Sequence, residues 1–160
     1  MEISIRHWTS PDIPVIGTLW LNTYRNGAPT VEDSIVPQAE QRLNRWLAGR
    51  LRNRADMGYV AELDDSFAGF LTGRIGPWDS EPPIVASRKL AWIDGLCVVD
   101  AYRRTGVASA LVGRAMDRAR ASGVSRIETM FPVDDPGAGA LWASLGFVSS
   151  VTRASLELDS

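Results

Sequence analysis

The sequence has little of the chemistry that disulfide bonds and metal sites require. Its 160 residues include one cysteine, Cys97, and one histidine, His7. A single cysteine cannot form an intramolecular disulfide bond, and a zinc site of the Cys/His type lacks ligands. Ser-His and Cys-His catalytic pairs would have to use His7, which lies in a predicted strand and is expected to be structural. The composition therefore predicts no metal cofactor and disfavours these two catalytic classes.

Long apolar segments and an excess of charge are absent as well. The apolar runs are only a few residues long, too short to cross a bilayer, and residues 1–6 lack the apolar segment typical of a secretory signal. The 17 basic and 19 acidic residues give a net charge of −2, which argues against binding nucleic acid through bulk electrostatics. We therefore expect a cytoplasmic protein without nucleic-acid or membrane partners.

The length and composition fit one domain. The chain is 45% hydrophobic, and a chain of this size buries roughly 70% of its unfolded surface. It is short for two domains, and no linker, repeat or low-complexity segment interrupts it. We therefore predict a single domain over residues 1–160.

Hydrophobic periodicity divides the chain into alternating strands and helices. Period-two alternation predicts strands, and apolar residues at helical spacing predict helices. The arginines of the second predicted helix, Arg50 among them, are interpreted as a solvated face. The predicted elements are a strand at 2–8, a helix from 10 to 26, a helix from 37 to 54, strands at 57–63 and 67–75, a loop at 76–88, a strand at 89–99, a helix at 105–122, a strand at 127–131, a helix at 136–145, and one or two strands within 147–158.

The order β-α-α-β-β-β-α-β-α-β predicts a mixed α/β fold. A tight-turn signal at residues 64–66 indicates an antiparallel hairpin. The strand at 89–99, the helix at 105–122 and the strand at 127–131 form a βαβ unit, so these two strands are expected to be parallel neighbours. The result is a central mixed sheet, mostly antiparallel, with helices on both faces.

The segment from Leu96 to Leu111 predicts an anion-binding site. A buried strand ends here, two adjacent arginines follow, and a helix begins at Gly106. The first N–H groups of a helix lack internal partners, and the helix dipole favours negative charge beside them. Gly106 allows a ligand to approach the backbone closely, and Arg103 and Arg104 can add charge-assisted hydrogen bonds to a phosphate.

This segment resembles the signature of the GNAT acyl-coenzyme-A-dependent N-acetyltransferases. The family pattern Gln/Arg-x-x-Gly-x-Gly/Ala is matched by residues 103–108, Arg-Arg-Thr-Gly-Val-Ala, at the start of a helix within a βαβ unit. The Leu-x-Val that precedes it also matches, as does Leu-Trp-Ala-Ser-Leu-Gly-Phe at residues 141–147. The predicted element order agrees with the family over nearly the whole chain. The resemblance implies a sheet that splays between its fourth and fifth strands.

The resemblance also implies a site for acetyl-coenzyme A, the acyl donor. Residues at the end of the fourth strand would pair their backbone with the pantetheine arm, and residues at the helix start would hold the pyrophosphate through N–H groups. In the last helix, Asp135 stands where the family often has Asn, and Ala138 keeps the helix slim near the cofactor. The implied cofactor-binding residues are Leu96, Cys97, Val98, Arg103, Arg104, Thr105, Gly106, Val107, Ala108, Ser109, Asp135, Ala138 and Trp142.

Acetyl transfer to an amine requires the amine to lose a proton. Removing the proton from an alkylammonium with a pKa of about 10.4 costs about 4–5 kcal/mol at neutral pH. The resemblance points to Asp94 as the catalytic base, with a structural carboxylate as the alternative and Glu128 as a weaker candidate. Trp142 stands where the family usually has a tyrosine acid, so the thiol, with a pKa near about 8.5, is expected to depart as thiolate. Cys97 is interpreted as inert packing rather than as an acyl carrier.

The acceptor site is expected beside the first two helices, the 76–88 loop and the end of the last hairpin. Acidic and aromatic side chains there suit a cationic amine, although tryptophans at helical spacing are more often core residues. The side chains concerned are Glu32, Asp33, Asp79, Glu81, Trp20 and Trp78.

The sequence thus predicts an N-acetyltransferase in which a primary amine attacks acetyl-coenzyme A directly in a ternary complex. Two alternatives stay open. One is a non-catalytic acyl-coenzyme-A-binding regulatory module, which the missing tyrosine favours. The other is a protein or peptide N-acetyltransferase instead of one that acts on small molecules. A homodimer is consistent with the habit of the family.

Overall fold

The computed structural model describes residues 1–26, 35–80, 82–152, 154 and 156. The chain forms two compact units, residues 1–130 and residues 131–160. None of the described helices combines the length and the apolar character of a membrane span. The second unit contains α4 (Pro136–Ser144), and the first contains β1 (Ile3–His7), α1 (Ile13–Asn26), α2 (Ala39–Arg50), β2 (Asp56–Leu63), β3 (Ser66–Trp78), β4 (Arg88–Val98), α3 (Val107–Ala121) and β5 (Ile127–Thr129).

The first unit is built on one mixed sheet with the strand order β1-β2-β3-β4-β5. Strands β1 to β4 pair antiparallel, and β4 pairs with β5 in parallel. The crossover through α3 connects the two parallel strands, as a parallel pair requires. The predicted mixed α/β fold class is confirmed.

Helices α1 and α2 cover one face of this sheet. Ile16 of α1 and Leu47 of α2 are fully buried in a core cluster with Val60, Phe70 and Cys97. These five side chains come from two helices and three strands, so the hydrophobic burial that stabilises this face also fixes where α2 ends above the sheet.

Helix α3 covers the opposite face. The guanidinium of Arg114 lies 5.7 Å from the ring centre of Tyr59, and a Cβ on Gly69 would lie 3.4 Å from the side chain of Val107. Because successive residues of a strand face opposite sides of a sheet, Tyr59 and Gly69 point away from the α1/α2 face. The prediction of helices on both faces is therefore correct.

Strand β4 is much longer than its parallel neighbour. It has 11 residues, whereas β5 has 3. Their pairing begins at Ala91 and Ile127 and ends at Ile93 and Thr129. Beyond Ile93, no strand among the described residues pairs with this edge of β4, so the sheet opens between its fourth and fifth strands.

A β-bulge in β4 determines the direction of Asp94. Thr72 of β3 pairs with Gly95, and Gly73 pairs with Ile93, which leaves Asp94 as the extra residue. The Thr72 hydroxyl donates to Asp94 Oδ1 at 2.6 Å, and a Cβ on Gly95 would lie 2.7 Å from Thr72 Oγ1. The bulge therefore turns two successive positions of β4 toward the α1/α2 face.

The prediction of a loop over residues 76–88 is wrong at both ends. Strand β3 continues to Trp78, which pairs with Arg88 at the start of β4, and Pro77 pairs with Lys89. The guanidinium of Arg88 lies 4.5 Å from the ring centre of Trp78. This cation–π contact and the cross-strand pairing stabilise an extension that the proline and glycine content hides.

The expected strands within residues 147–158 are not formed over residues 147–152. Val148 and Val151 are exposed there. β-branched residues favour a strand only where a neighbouring strand accepts their backbone hydrogen bonds, and no described strand pairs with this segment. Residues 153, 155 and 157–160 lie outside the described residues.

Arg6 connects β1 to β2 and to the start of α1. Its guanidinium donates to both oxygens of Asp12 at 2.7 and 2.8 Å, and its Nε donates to Glu62 at 2.8 Å. Asp12 also accepts the backbone N–H of Thr9 at 2.7 Å, as in a capping box, at the 3₁₀ turn before α1. The hydrogen bonds from Arg6 outweigh burial and lower the pKa of Asp12 below its ordinary value of 3.8.

We predict that Arg6→Met lowers the free energy of unfolding by about 1–2 kcal/mol at pH 7, as expected for charged hydrogen bonds from a partly exposed side chain. Because folding lowers the pKa of Asp12, this stabilisation is fully present above the unfolded pKa of 3.8. It is lost as the pH falls through the lower, folded pKa. Denaturant unfolding of both proteins from pH 7 down to about pH 3 measures the difference.

A matched control is Arg120→Met, which removes an exposed ion pair to Asp117 at 3.0 Å. This pair is expected to contribute less than about 0.5 kcal/mol. An effect of Arg6→Met as small as that of the control, or one that does not diminish at low pH, contradicts the prediction.

Candidate active site

The turn between β4 and α3 has a strained backbone that aligns the start of the helix. Arg104 and Gly106 both have positive φ, at 67° and 93°. A residue with a Cβ pays about 1 kcal/mol or more for this conformation, whereas glycine adopts it freely. The hydroxyl of Thr105 donates to the carbonyl of Tyr102 at 2.6 Å and holds the turn. A Cβ on Gly106 would make only an ordinary contact, 3.7 Å from Ile3, so glycine is needed here for its φ.

The first N–H groups of α3 are available to a ligand. The first bond to the capping residue is made by Ala110, which donates to the carbonyl of Gly106 at 3.0 Å. The N–H groups of Val107, Ala108 and Ser109 precede it and have no carbonyl within the helix to bond. No side chain caps this end. Small side chains at Ala108 and Ser109 leave the approach uncrowded, so the predicted anion site has a suitable backbone.

The two arginines of the turn differ in their pairing. Arg103 forms an ion pair with Asp100 at 2.8 Å, and the two side chains are 68% and 86% exposed. Such an exposed pair is weak, so Arg103 can exchange Asp100 for a phosphate at little cost. Arg104 is exposed and forms no ion pair among the described residues.

The end of β4 presents an open backbone edge. Leu96, Cys97 and Val98 pair with Leu71, Phe70 and Gly69 of β3 on one side. On the other side the pairing with β5 has already ended. Leu96 and Val98 are half-buried and Cys97 is buried. The structure thus brings the predicted pantetheine-binding residues and the predicted anion site together, because β4 leads directly into the turn before α3.

The Cys97 thiol is an unfavourable nucleophile. Burial raises the pKa of Cys97 above its ordinary value of 9.0, although a contact with Thr23 lowers it slightly. The two side-chain atoms, Cys97 Sγ and Thr23 Oγ1, are 3.4 Å apart. A thiol with a raised pKa carries little thiolate at neutral pH, which agrees with the interpretation of Cys97 as a packing residue.

Asp94 is held by two side chains. Arg50 Nη1 donates to Asp94 Oδ2 at 2.6 Å, and the Thr72 hydroxyl donates to Asp94 Oδ1 at 2.6 Å. The Asp94 side chain remains 33% exposed. A carboxylate has about four acceptor positions, so both oxygens can still accept one further hydrogen bond from solvent or a ligand.

Arg50 is the centre of this arrangement, and the sequence interpretation of it as a solvated residue is wrong. Its side chain is 9% exposed, forms a second ion pair with Asp56 at 3.2 Å and donates to the carbonyl of Gly73. Its guanidinium lies 4.7 Å from the ring centre of Trp46. The apolar stripe of α2 contains Leu43 and Leu47, and continuing this spacing to position 50 would have indicated that Arg50 faces the sheet.

A pocket of about 240 Å³ lies beside Asp94. Two cations, two carboxylates, an amide and an indole surround it. The Thr72 hydroxyl donates a hydrogen bond to the carboxylate of Asp94. The indole of Trp46, which is 47% exposed, forms an aromatic wall. The residues that line the pocket are Trp46, Arg50, Asn53, Asp56, Arg74 and Asp94.

The residues predicted for the acceptor site are only partly near this pocket. Trp20 packs in the core, 5.4 Å from Phe70 and 5.7 Å from Trp46 between ring centres. Trp78 lies under Arg88 at the far end of β3, and Asp79 accepts the hydroxyl of Ser87. Glu32, Asp33 and Glu81 lie outside the described residues.

The other titratable candidates have structural partners. Glu128 accepts from Arg126 Nε at 2.6 Å, and it pairs in register with Trp92 on β4. His7 lies 5.0 Å from Tyr59 between ring centres. Among the described residues, no group of three or more His, Cys, Asp or Glu side chains could hold a metal ion.

In the second unit, α4 begins with a side-chain cap. Asp135 Oδ1 accepts the backbone N–H of Ala138 at 2.9 Å, and Pro136 occupies the first turn. Trp142 is buried and lies edge-on to Phe147, with 4.9 Å between ring centres. Asp135 therefore has a structural task in addition to the role that the resemblance implies.

Comparisons with known proteins identify one family. The model of the acetyltransferase (GNAT) family matches residues 15–147. No curated protein matches the chain.

Solved structures of similar fold include a transcriptional regulator from Bacillus halodurans C-125. It is 20% identical with a TM-score of 0.76, and the alignment covers 98% of this chain and 100% of that one. An aminoglycoside N-acetyltransferase in complex with CoA is 13% identical with a TM-score of 0.77, covering 99% of this chain and 96% of that one. A predicted acetyltransferase from Clostridium acetobutylicum, solved with acetyl-CoA, is 13% identical with a TM-score of 0.72, covering 98% of this chain and 96% of that one. At these identities the likeness concerns the fold alone.

We predict that Arg50→Met lowers the free energy of unfolding by about 3 kcal/mol, because it leaves Asp56 and Asp94 without their cation in a largely buried place. The expected loss is at the lower end of the range for broken buried ion pairs, since Asp94 is 33% exposed. Urea denaturation at pH 7 measures it.

The control is Arg45→Met on the same helix, an exposed position where the change should stay within about 0.5 kcal/mol. Equal stability of the two variants would show that the buried pairs of Arg50 contribute nothing net.

Proposed function

Because the chain belongs to the GNAT acetyltransferase family, we propose that it transfers an acetyl group from acetyl-coenzyme A to a primary amine, by direct attack in a ternary complex. One observation carries the proposal: the open edge of β4 ends at a helix start whose N–H groups are free. The family match extends over both compact units, which supports treating residues 1–160 as one catalytic domain.

The open edge of β4 suits the pantetheine arm. Amide groups of the arm can take the hydrogen bonds that β5 does not supply at Leu96, Cys97 and Val98. An extended chain pairs with such an edge as an added strand would. The side chains of Leu96 and Val98 are half-buried, so their apolar surface can line the arm.

The start of α3 suits the pyrophosphate. Backbone N–H groups from Arg104 to Ser109 provide donors, and the helix dipole favours the negative charge. Arg103 and Arg104 add charge-assisted hydrogen bonds from exposed, readily rearranged side chains. In the first unit the proposed donor site further includes Thr105, Gly106, Val107 and Ala108. For Asp135, Ala138 and Trp142 of the second unit, the proposed role rests on the resemblance to the family alone.

The chemistry requires the nitrogen to lose two protons and one carbon–sulfur bond to break. The ammonium must first lose one proton, and Asp94 is the proposed base, acting on the acceptor directly or through a water molecule. The neutral amine nitrogen then forms a bond to the acetyl carbonyl carbon. The nitrogen releases its second proton to solvent as the carbonyl re-forms and the carbon–sulfur bond breaks. Coenzyme A departs as the thiolate. A thiol with a pKa of about 8.5 is a good enough leaving group to depart without a proton from a tyrosine at position 142.

A second candidate function is a non-catalytic module that binds acyl-coenzyme A. Two observations favour it. Arg50 and Thr72 engage both oxygens of Asp94, and Trp142 cannot donate from an oxygen.

We predict that Gly106→Glu abolishes saturable binding of acetyl-coenzyme A. The glutamate places a negative charge where the pyrophosphate is expected, and a Cβ at φ 93° is strained by about 1–2 kcal/mol. Calorimetric titration of the purified proteins with acetyl-coenzyme A measures the affinity.

Gly123→Glu is the matched control. Gly123 follows the other end of α3, also has positive φ, at 71°, and has no atom within 4 Å of a built Cβ. It should therefore carry a similar strain and leave the affinity unchanged. Unimpaired binding by Gly106→Glu would remove the helix start from the donor site, and no binding by the wild type would overturn the proposed function.

We predict that Asp94→Asn reduces kcat by about 100-fold or more, the usual range for loss of a general base. Acetyl-coenzyme A affinity should stay within about threefold, because the donor site does not use the Asp94 carboxylate. Thiol release with a reactive amine gives the rates.

Asp56→Asn removes the other carboxylate bonded to Arg50 and serves as control. It is expected to lower stability, as Asp94→Asn does, without the loss of about 100-fold in kcat that removal of a general base causes. If Asp94→Asn keeps its rate, Asp94 is a structural carboxylate.

A further inference from the structure

We propose that the pocket beside Asp94 selects acceptors that carry an anionic group next to the amine, and that Arg74 binds this anionic group. The chemical class is a zwitterionic metabolite such as a free amino acid. The inference rests on the proposed function, because the molecule concerned is the acetyl acceptor.

Arg74 and Asp94 line the same pocket from neighbouring strands. Arg74 lies two residues beyond Thr72 on β3, so its side chain leaves the same face of the sheet. Thr72 in turn holds Asp94 at 2.6 Å. Arg74 pairs in register with Trp92 of β4, two residues from Asp94. The two opposite charges are therefore diagonal neighbours across one strand pair, a geometry in which long side chains reach a shared ligand.

The two arginines of the pocket differ in how many partners each already has. Arg50 is 9% exposed and bonded to Asp94, Asp56 and the Gly73 carbonyl. Arg74 is exposed and has no ion pair or side-chain hydrogen bond within the described part of the chain. The guanidinium of Arg74 and the exposed third of the Asp94 side chain are therefore the charged groups that can bind a ligand.

This balance disfavours a purely cationic acceptor. Arg50, Arg74, Asp56 and Asp94 sum to zero charge, so an ammonium entering alone leaves the pocket positive, next to the guanidinium of Arg74. A ligand with one ammonium and one carboxylate adds no net charge and can pair with both Asp94 and Arg74. The guanidinium fork also matches a carboxylate in geometry.

One wall of the pocket is aromatic. The half-exposed indole of Trp46 borders it. Such a surface favours contact with an apolar amino-acid side chain.

The test compares acceptors that differ only in the carboxylate. The 20 amino acids are screened with saturating acetyl-coenzyme A, and the best of them is compared with its decarboxylated amine, for example phenylalanine with phenethylamine. The same pair is measured with Arg74→Gln. We expect kcat/KM for the amino acid to fall about 10- to 100-fold, as loss of a charged hydrogen bond predicts. For the amine it should stay within about threefold. Comparing ratios cancels the different basicity of the two amines.

Arg88→Gln is the control, since it removes the same charge from an exposed position outside the pocket, and it should leave both ratios unchanged. Arg74→Glu is a second variant, expected to reverse the preference toward a diamine. The thermal midpoint and acetyl-coenzyme A affinity of each variant report that it is folded.

The inference is overturned if the wild type prefers amines to every amino acid, or if Arg74→Gln lowers both members of the pair alike. If no acceptor turns over, calorimetric titration of the coenzyme-A-loaded protein with each amino acid identifies the one that binds most tightly, and this amino acid is then compared with its decarboxylated amine. Carboxylate-dependent binding that is lost in Arg74→Gln supports the pocket assignment while the proposed function fails. Equal or absent binding of both molecules overturns the assignment as well.

Discussion

The loss of pairing between β4 and β5 after Ile93 and Thr129 is the constraint on which the rest of the site depends. A strand edge inside a sheet normally finds its backbone partners in the next strand. Strand β4 has 11 residues and β5 has only 3. Among the described residues, the last part of β4 therefore has one edge without a partner strand. The bulge at Asp94 begins where the pairing with β5 ends. It directs the Asp94 carboxylate toward the α1/α2 face of the sheet.

The two halves of the site use different electrostatics. At the start of α3 the attraction for anions comes from backbone N–H groups fixed by a turn with two residues of positive φ. It therefore depends little on any one side chain. The pocket beside Asp94 depends on side chains whose charges cancel, and its selectivity lies in which charges are already paired. Under the proposed function, donor recognition depends on the path of the backbone, whereas acceptor recognition depends on particular residues.

The sequence predicts the backbone of the first half well and the side-chain contacts of the second half poorly. Residues 103–108 form one short segment, and its strand, turn and helix are all local features that the pattern carries. The parallel pairing follows from the crossover through α3. The partners of Asp94 come from elsewhere: Arg50 is 44 residues away and Thr72 is 22 away. No local pattern records such contacts, although Gly95 beside Asp94 is the kind of residue that marks a bulge within a strand.

The errors have related causes. The prolines and glycine of residues 76–88 indicate a loop, but cross-strand pairing continues through Pro77 because an antiparallel neighbour is present. The arginines of α2 read as solvated by composition, yet Arg50 faces the sheet because the helix ends above two carboxylates. In both cases tertiary partners outweigh local preference.

Arg50 joins the end of α2 to β2, β3 and β4 through a single planar group. Separating any one of these elements from the others breaks a hydrogen bond of the same guanidinium, so the free-energy cost of opening is shared among them. We therefore expect this face of the protein to unfold locally as one unit. A pocket set in such a unit is expected to keep its shape whether or not a ligand is bound.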